Sequence, residues 1–217
     1  MKKFLIFLLI VVIFIVGGWW LSQSLKFEKE TKTKPLMAEK NIQINKKIAM
    51  VIAFKDFRDE EYFRPKEILE GAGIEVKTAS DQKGKAIGAD GGEVTVDLLV
   101  SEVNPAEFDG VVFVGGPGCL KHLDNEDSYR LAKQTLSEGK ILAAICISPV
   151  ILAKAGVLEG KKATVWSSPL EKKPIEVLKE NGAIYQEQNV VTDENIITAN
   201  GPAAAQEFGQ TILKLLK

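Results

Sequence analysis

Residues 141–149 read Ile141-Leu142-Ala143-Ala144-Ile145-Cys146-Ile147-Ser148-Pro149, and this stretch decides the fold. Its first five residues are apolar and uncharged, as expected of a short strand covered on both faces. That strand runs straight into Cys146. A nucleophile on a tight strand-to-helix turn leaves room only for small residues two places before and after it. Ala144 and Ser148 supply them. Pro149 suits the start of the following helix, where a missing N–H costs little. A thiol at a helix N-terminus feels the positive end of the dipole, which predicts a lowered pKa and more thiolate. Taken alone, the pattern also fits a cysteine that is simply a small buried hydrophobe.

Strands and helices alternate on both sides of this element. Residues 47–54 form another apolar run, expected to be a buried strand, and 59–70 have helical spacing with Tyr62, Ile68 and Leu69 on one side. Gly71 and Gly73 close that helix before a strand over 74–79. Residues 85–96 read as a hairpin turning at Gly91-Gly92. Strands are expected over 110–114, 163–166, 190–191 and 196–197, and helices over 128–138, 149–155, 176–181 and 202–216. Such alternation predicts an α/β fold with a mostly parallel sheet and helices on both faces. Sites in these sheets lie beyond the carboxyl ends of the strands. The segments to examine are therefore 55–61, 115–119 and 146–149.

The second of these begins Gly115-Gly116-Pro117-Gly118 after Val114. Glycines allow close backbone approach and expose N–H groups, as an oxyanion hole requires, although a plain tight turn has the same composition. A dinucleotide-binding glycine loop should follow the first strand, but Lys55-Asp56-Phe57-Arg58 stands there. The third segment carries Asp59-Glu60-Glu61 at the start of a helix. Acids there ordinarily complement the dipole and stay solvated, which accounts for Asp59 and Glu60. Glu61 has a further role only if it points inward and shares a proton with the thiol.

Composition narrows the function. The chain has 217 residues, 46% of them hydrophobic, and a formal net charge of −1. This suits one domain plus an extension, and with no basic stripe nucleic acid is not an expected partner. Two cysteines, Cys119 and Cys146, are too few for a disulfide scaffold or a zinc cluster. With His122 the only histidine, mechanisms that need two imidazoles are excluded.

Residues 4–21 read FLIFLLIVVIFIVGGWWL, without charge or proline, and are long enough to cross a bilayer as a helix. Lys2 and Lys3 before the run favour a cytoplasmic N-terminus, and Trp19 and Trp20 suit the far headgroup region. The expectation is a membrane anchor over 1–25, a polar linker over 26–46 and a domain over 47–217 outside the cytoplasm. The alternative is a secreted protein after cleavage of a signal peptide near Ser22-Gln23-Ser24.

Three features in register resemble a known family: Glu61-Tyr62-Phe63-Arg64-Pro65, the 114–118 turn, and the 143–149 elbow. They are similar to the ThiJ/PfpI family of the class I glutamine amidotransferase-like superfamily, over 47–217 and most strongly over 108–164. The resemblance implies a flavodoxin-like three-layer sandwich with Cys146 as nucleophile and Glu61 as the carboxyl that holds its thiol. It places the oxyanion hole at the backbone N–H groups of Gly116 and Ile147. Gly115, Pro117, Cys119, Ser148 and Ser168 become neighbours of the site. It also implies a homodimer or larger homo-oligomer, with no metal and no organic cofactor.

The chain departs from the family at its histidines. Peptidase-like members carry one directly after the cysteine, where this chain has Ile147, and deglycase-like members carry one before a Pro-Leu pair, where it has Ser168. His122 matches neither position and reads as a solvated loop residue beside Lys121 and Asp124. Imidazole activation of Cys146, and with it a peptidase, is disfavoured. What remains is thiolate addition to a small-molecule electrophile, with Glu61 moving the proton. The models are glyoxalase- or deglycase-like hydrolases and lyases acting on reactive carbonyls, or isocyanide hydratases. The other reading is a non-catalytic redox or stress module whose Cys146 is oxidised reversibly. A Cys119–Cys146 disulfide in an oxidising exterior would end the enzyme reading.

Overall fold

The computed structural model describes residues 46–217. The expected anchor, and the expected linker up to residue 45, lie outside the described residues. Among the described residues no helix is long and apolar enough to cross a membrane.

Seven strands form the central sheet: β1 (Lys47–Val51), β3 (Glu75–Ser80), β6 (Leu98–Leu99), β7 (Gly110–Phe113), β8 (Ile141–Ile145), β11 (Val190–Asp193) and β12 (Ile196–Ala199). Their order is β11-β12-β8-β7-β1-β3-β6, parallel except for the antiparallel edge pair β11–β12. A three-stranded sheet pairs β2 (Lys55–Phe57) with β4 (Gly84–Gly88) and β4 with β5 (Glu93–Val96). A small parallel pair joins β9 (Lys162–Ala163) to β10 (Ile184–Tyr185).

The apolar strands are explained by burial on both faces. In β1, Ile48 and Met50 belong to one core cluster, while Ala49 and Val51 belong to the other. The first cluster takes Tyr62 and Leu69 from helix α1 (Asp59–Gly71) and Phe208 and Ile212 from the last helix, α6 (Ala205–Leu216). The second takes Cys119 and Leu123 from α2 (Cys119–Leu123) and Leu131 and Ala132 from α3 (Glu126–Ser137). It is completed by Ile151 and Leu152 from α4 (Pro149–Lys154) and Leu178 from α5 (Lys173–Glu180). Successive strand side chains point to opposite faces, so a sheet covered on both sides needs apolar residues at every position. Helix α6 crosses α1 closely: a Cβ on Gly209 would lie 2.9 Å from Pro65 Cα.

Two expected strands are shorter than their apolar runs. The run over 47–54 leaves the central sheet after Val51, and the chain pairs again only beyond the run, as β2, beside the 84–96 hairpin. The run over 163–166 pairs only at Lys162–Ala163, after which Trp166 N donates to Cys146 O at 2.8 Å. The carboxyl ends of β1, β7, β8 and β12 thus converge on the turn that carries Cys146.

Candidate active site

Cys146 sits where β8 ends and α4 is about to begin, with φ 65°. A non-glycine residue in this left-handed region costs about 1–2 kcal/mol. Neighbours on several sides hold it there. Cys146 N donates to Ala199 O at 2.9 Å, and Cys146 O accepts from Trp166 N. The buried Ser148 hydroxyl accepts from Ile145 N at 3.0 Å, and its own proton has two carbonyls in reach, Phe113 O and Ile145 O, each at 2.8 Å. Ser148 therefore latches the elbow to β7 and does not face a ligand.

The glycine turn is packed from both sides. A Cβ on Gly115 would lie 2.5 Å from Cys146 Cβ, 2.6 Å from Glu61 Oε2 and 2.8 Å from Ile145 O. Glycine at this position lets the thiol-bearing carbon and the carboxylate close in on the same point. Gly116, at φ 115°, would put a Cβ 2.3 Å from Arg58 N, and Gly118 would put one 1.9 Å from Lys55 O. The turn is laced to β2 and the residue after it by Arg58 N to Gly115 O at 3.1 Å and Gly118 N to Asp56 O at 2.9 Å. Close backbone approach here joins two parts of the structure, and the mere-turn reading does not account for it.

Glu61 is fully buried, and among the described residues neither carboxyl oxygen has a partner that meets hydrogen-bond geometry. Burial pushes its pKa up from 4.5 to about 7, against the lowering effects of the nearby Cys146 thiol, the Arg58 charge and the Gly115 N–H. The thiol and that N–H are close enough to act electrostatically without making full bonds. Cys146 is pushed up to about 12 by burial first and then by the Glu61 carboxylate. The N–H groups of Gly116 and Ile147 approach its sulfur and pull the other way. This corrects the expectation of a lowered thiol pKa. Helix α4 spans only six residues and opens with Pro149, which has no N–H to offer, so its dipole does not outweigh burial beside a carboxyl.

Cys146 is 9% exposed, at a cavity of about 300 Å³. The cavity is walled by Arg58, Gly116 and Pro117 on one side and Ile147, Trp166 and Pro202 on another, with Leu120 also contributing. Glu61 and Gly115 lie beneath its surface, against the thiol. Ser168 does not line this cavity; it pairs with Glu171 in a short turn, Ser168 N to Glu171 O at 3.0 Å. Trp166, two residues earlier, reaches the wall in its place. A larger hollow of about 560 Å³, bordered by Phe63, Glu70 and Val94, has no cysteine among the described residues that line it. Among the described residues no group of His, Cys, Asp and Glu is arranged to hold a metal ion.

Two further expectations are revised, at His122 and Asp59. His122 is neither solvated nor in a loop: it lies on α2, only 15% exposed, with Nδ1 2.7 Å from Asp81 Oδ2. Asp59 does more than complement a dipole, because its oxygens accept from Gly92 N at 2.6 Å and Asp90 N at 2.8 Å, fastening the 84–96 hairpin to α1. Cys119 and Cys146 are both free thiols. Cys119 is wholly buried, and its own pKa is raised by that burial.

Sequence reasoning missed Arg58, Leu120, Trp166 and Pro202 as wall residues. Arg58 lay inside a segment marked for scrutiny, and Trp166 and Pro202 each follow the end of a strand. Pro202 lies beyond the expected 196–197 strand, where the strand-end rule points, whereas Trp166 falls inside the expected 163–166 strand, which in the structure ends at Ala163.

The fold and site define an α/β protein with a cysteine on a tight strand-to-helix elbow and a buried glutamate beside it. The sequence matches the model of the DJ-1/PfpI family over residues 46–215, and the chain belongs to that family. It is 44% identical over 174 residues to an uncharacterised protein of Methanocaldococcus jannaschii, covering 80% of this chain and 83% of that one. It is 34% identical over 168 residues to Deglycase PfpI of Pyrococcus furiosus, covering 77% and 98% of the two chains. The solved ThiJ/PfpI domain protein from Brachyspira murdochii superposes with a TM-score of 0.75 at 39% identity, covering 79% of this chain and 96% of its own.

Proposed function

We propose that this domain adds the Cys146 thiol to small reactive carbonyls, in the manner of the deglycases among its relatives. The observation that carries the reading is the approach of Cys146 and Glu61 to the same glycine, Gly115, at an open cavity. Sγ forms a bond to the carbonyl carbon while its proton passes to Glu61, and the π pair moves onto the carbonyl oxygen. The N–H groups of Gly116 and Ile147, already turned toward the sulfur, are suitably placed to stabilise that oxyanion. Glu61 then returns the proton to the oxygen or to the departing group. A carboxyl with a pKa of about 7 is matched to both halves of this transfer near neutral pH.

The test is loss of methylglyoxal, free and as its adduct with N-acetylcysteine, followed for the wild type, Cys146→Ser and Glu61→Gln. Consumption that both variants lose supports the reading; consumption unchanged in Cys146→Ser overturns it. A peptidase reading has less support, since no imidazole lines the cavity.

The uncharged run over 4–21 supports a tether, with residues 1–25 as anchor, 26–46 as linker and 47–217 as a domain outside the cytoplasm. Retention in the membrane fraction through an alkaline carbonate wash supports this, and release overturns it. Family resemblance supports self-association as a homodimer or larger assembly.

A further inference from the structure

Among the described residues that line the Cys146 cavity, Arg58 is the charged one; Pro117, Leu120, Ile147, Trp166 and Pro202 make the rest of the wall largely apolar. Among the described residues its guanidinium hydrogen-bonds only to Asp90, through a single nitrogen, with Nη1 at 3.3 and 3.5 Å from the two carboxylate oxygens. Asp90 is 60% exposed, and long, solvated pairs of this kind hold weakly. A guanidinium has five N–H donors, so most of this fork is left for another anion.

The root of the side chain is fixed. Arg58 N donates to Gly115 O at 3.1 Å, in the turn that meets Cys146 and Glu61. A cation against an apolar wall attracts an anion more strongly than the same cation in water. The planar fork matches a carboxylate, which it binds through two parallel hydrogen bonds.

We propose that Arg58 receives a carboxylate carried by the substrate, so that the site favours small carbonyl compounds bearing a carboxylate, the oxo acids, over neutral carbonyls. The proposal rests on Cys146 being the nucleophile, as argued above. Arg58 binds the anion and orients the carbonyl toward Sγ, and takes no part in proton transfer.

The experiment compares two alkylating agents of similar size, iodoacetate and iodoacetamide, which differ in charge. In each, Sγ bonds to the methylene carbon, iodide leaves with its electron pair, and the thiol proton goes to Glu61 or solvent. Rate constants at Cys146 are mapped by mass spectrometry in the purified full chain. The iodoacetate-to-iodoacetamide ratio is then divided by that of N-acetylcysteine. Any change in thiolate content affects both reagents alike and cancels.

A charge-assisted contact predicts a wild-type ratio about tenfold above that of the free thiol. Arg58→Gln should return it to the free-thiol ratio, Arg58→Lys should keep most of the preference, and Asp90→Asn should raise it by removing the competing carboxylate. Equal ratios in wild type and Arg58→Gln overturn the proposal, as does an Arg58→Lys ratio no higher than that of Arg58→Gln. If neither reagent labels Cys146, the nucleophile reading fails and the assignment of Arg58 fails with it, a result distinct from equal labelling by both.

Discussion

Replacing Glu61 with glutamine should stabilise the domain at neutral and mildly alkaline pH. The carboxyl is fully buried, and its pKa rises from 4.5 to about 7 on folding, chiefly because burial disfavours the ion. Between these values the folded state binds more protons than the unfolded one, so stability falls as pH rises. The contribution is complete below 4.5, declines between 4.5 and about 7, and is gone above that. A rise of about 2.5 pH units at about 1.4 kcal/mol each amounts to roughly 3 kcal/mol. Glutamine keeps the shape without the ionisation. Urea unfolding of wild type and Glu61→Gln at pH 5, 6, 7 and 8, with reductant, tests this. Wild-type stability should drop by about 2.5 kcal/mol across the series relative to the variant, since part of the loss already falls below pH 5, and the variant becomes the more stable protein at pH 8. The window lies well below the Cys146 pKa of about 12, so the thiol does not interfere. Parallel curves for the two proteins would refute the reasoning.

Other predictions concern the scaffold around the site. Ser148→Ala removes the latch between the elbow and β7 and strands buried backbone groups; urea unfolding should show a loss of about 1–3 kcal/mol. Gly209→Ala raises helix propensity by roughly 1 kcal/mol, but its Cβ would press on Pro65 Cα. Backbone cannot swing aside like a flexible side chain, so we expect a net loss of about 1–2 kcal/mol in the same assay. At Cys146, glycine relieves the positive φ and alanine does not, so Cys146→Gly should unfold at a free energy about 1 kcal/mol above Cys146→Ala.

Much of this architecture was legible because it depends on local pattern. Strands such as 141–145, covered on both faces, show as unbroken apolar runs, and the small residues around Cys146 mark the elbow. The glycines at 115–118 were legible as a feature, although their role in joining the turn to Lys55–Arg58 depends on a contact between segments distant in sequence. The end of β1 was not legible, since Ile52 and Ala53 are as apolar as the strand before them; the hairpin that claims β2 decides where the run divides. His122 and Asp59 were misread for a similar reason. Their partners, Asp81 and the Asp90–Gly92 turn, lie 41 and more than 30 residues away. The thiol's pKa was misjudged because a dipole can be inferred from chain order, whereas burial and a facing carboxyl come only with tertiary structure. Trp166 and Pro202 carry no motif, and only the convergence of strand ends brings them to the cavity.

The most direct test of the Cys146–Glu61 account is the pH dependence of Cys146 alkylation by iodoacetamide in wild type and Glu61→Gln. If Glu61 accepts the thiol proton, the wild-type rate should rise through an inflection near pH 7, where the pair loses its first proton. In Glu61→Gln that inflection should disappear, leaving only an increase at alkaline pH. Identical profiles in the two proteins would contradict the account.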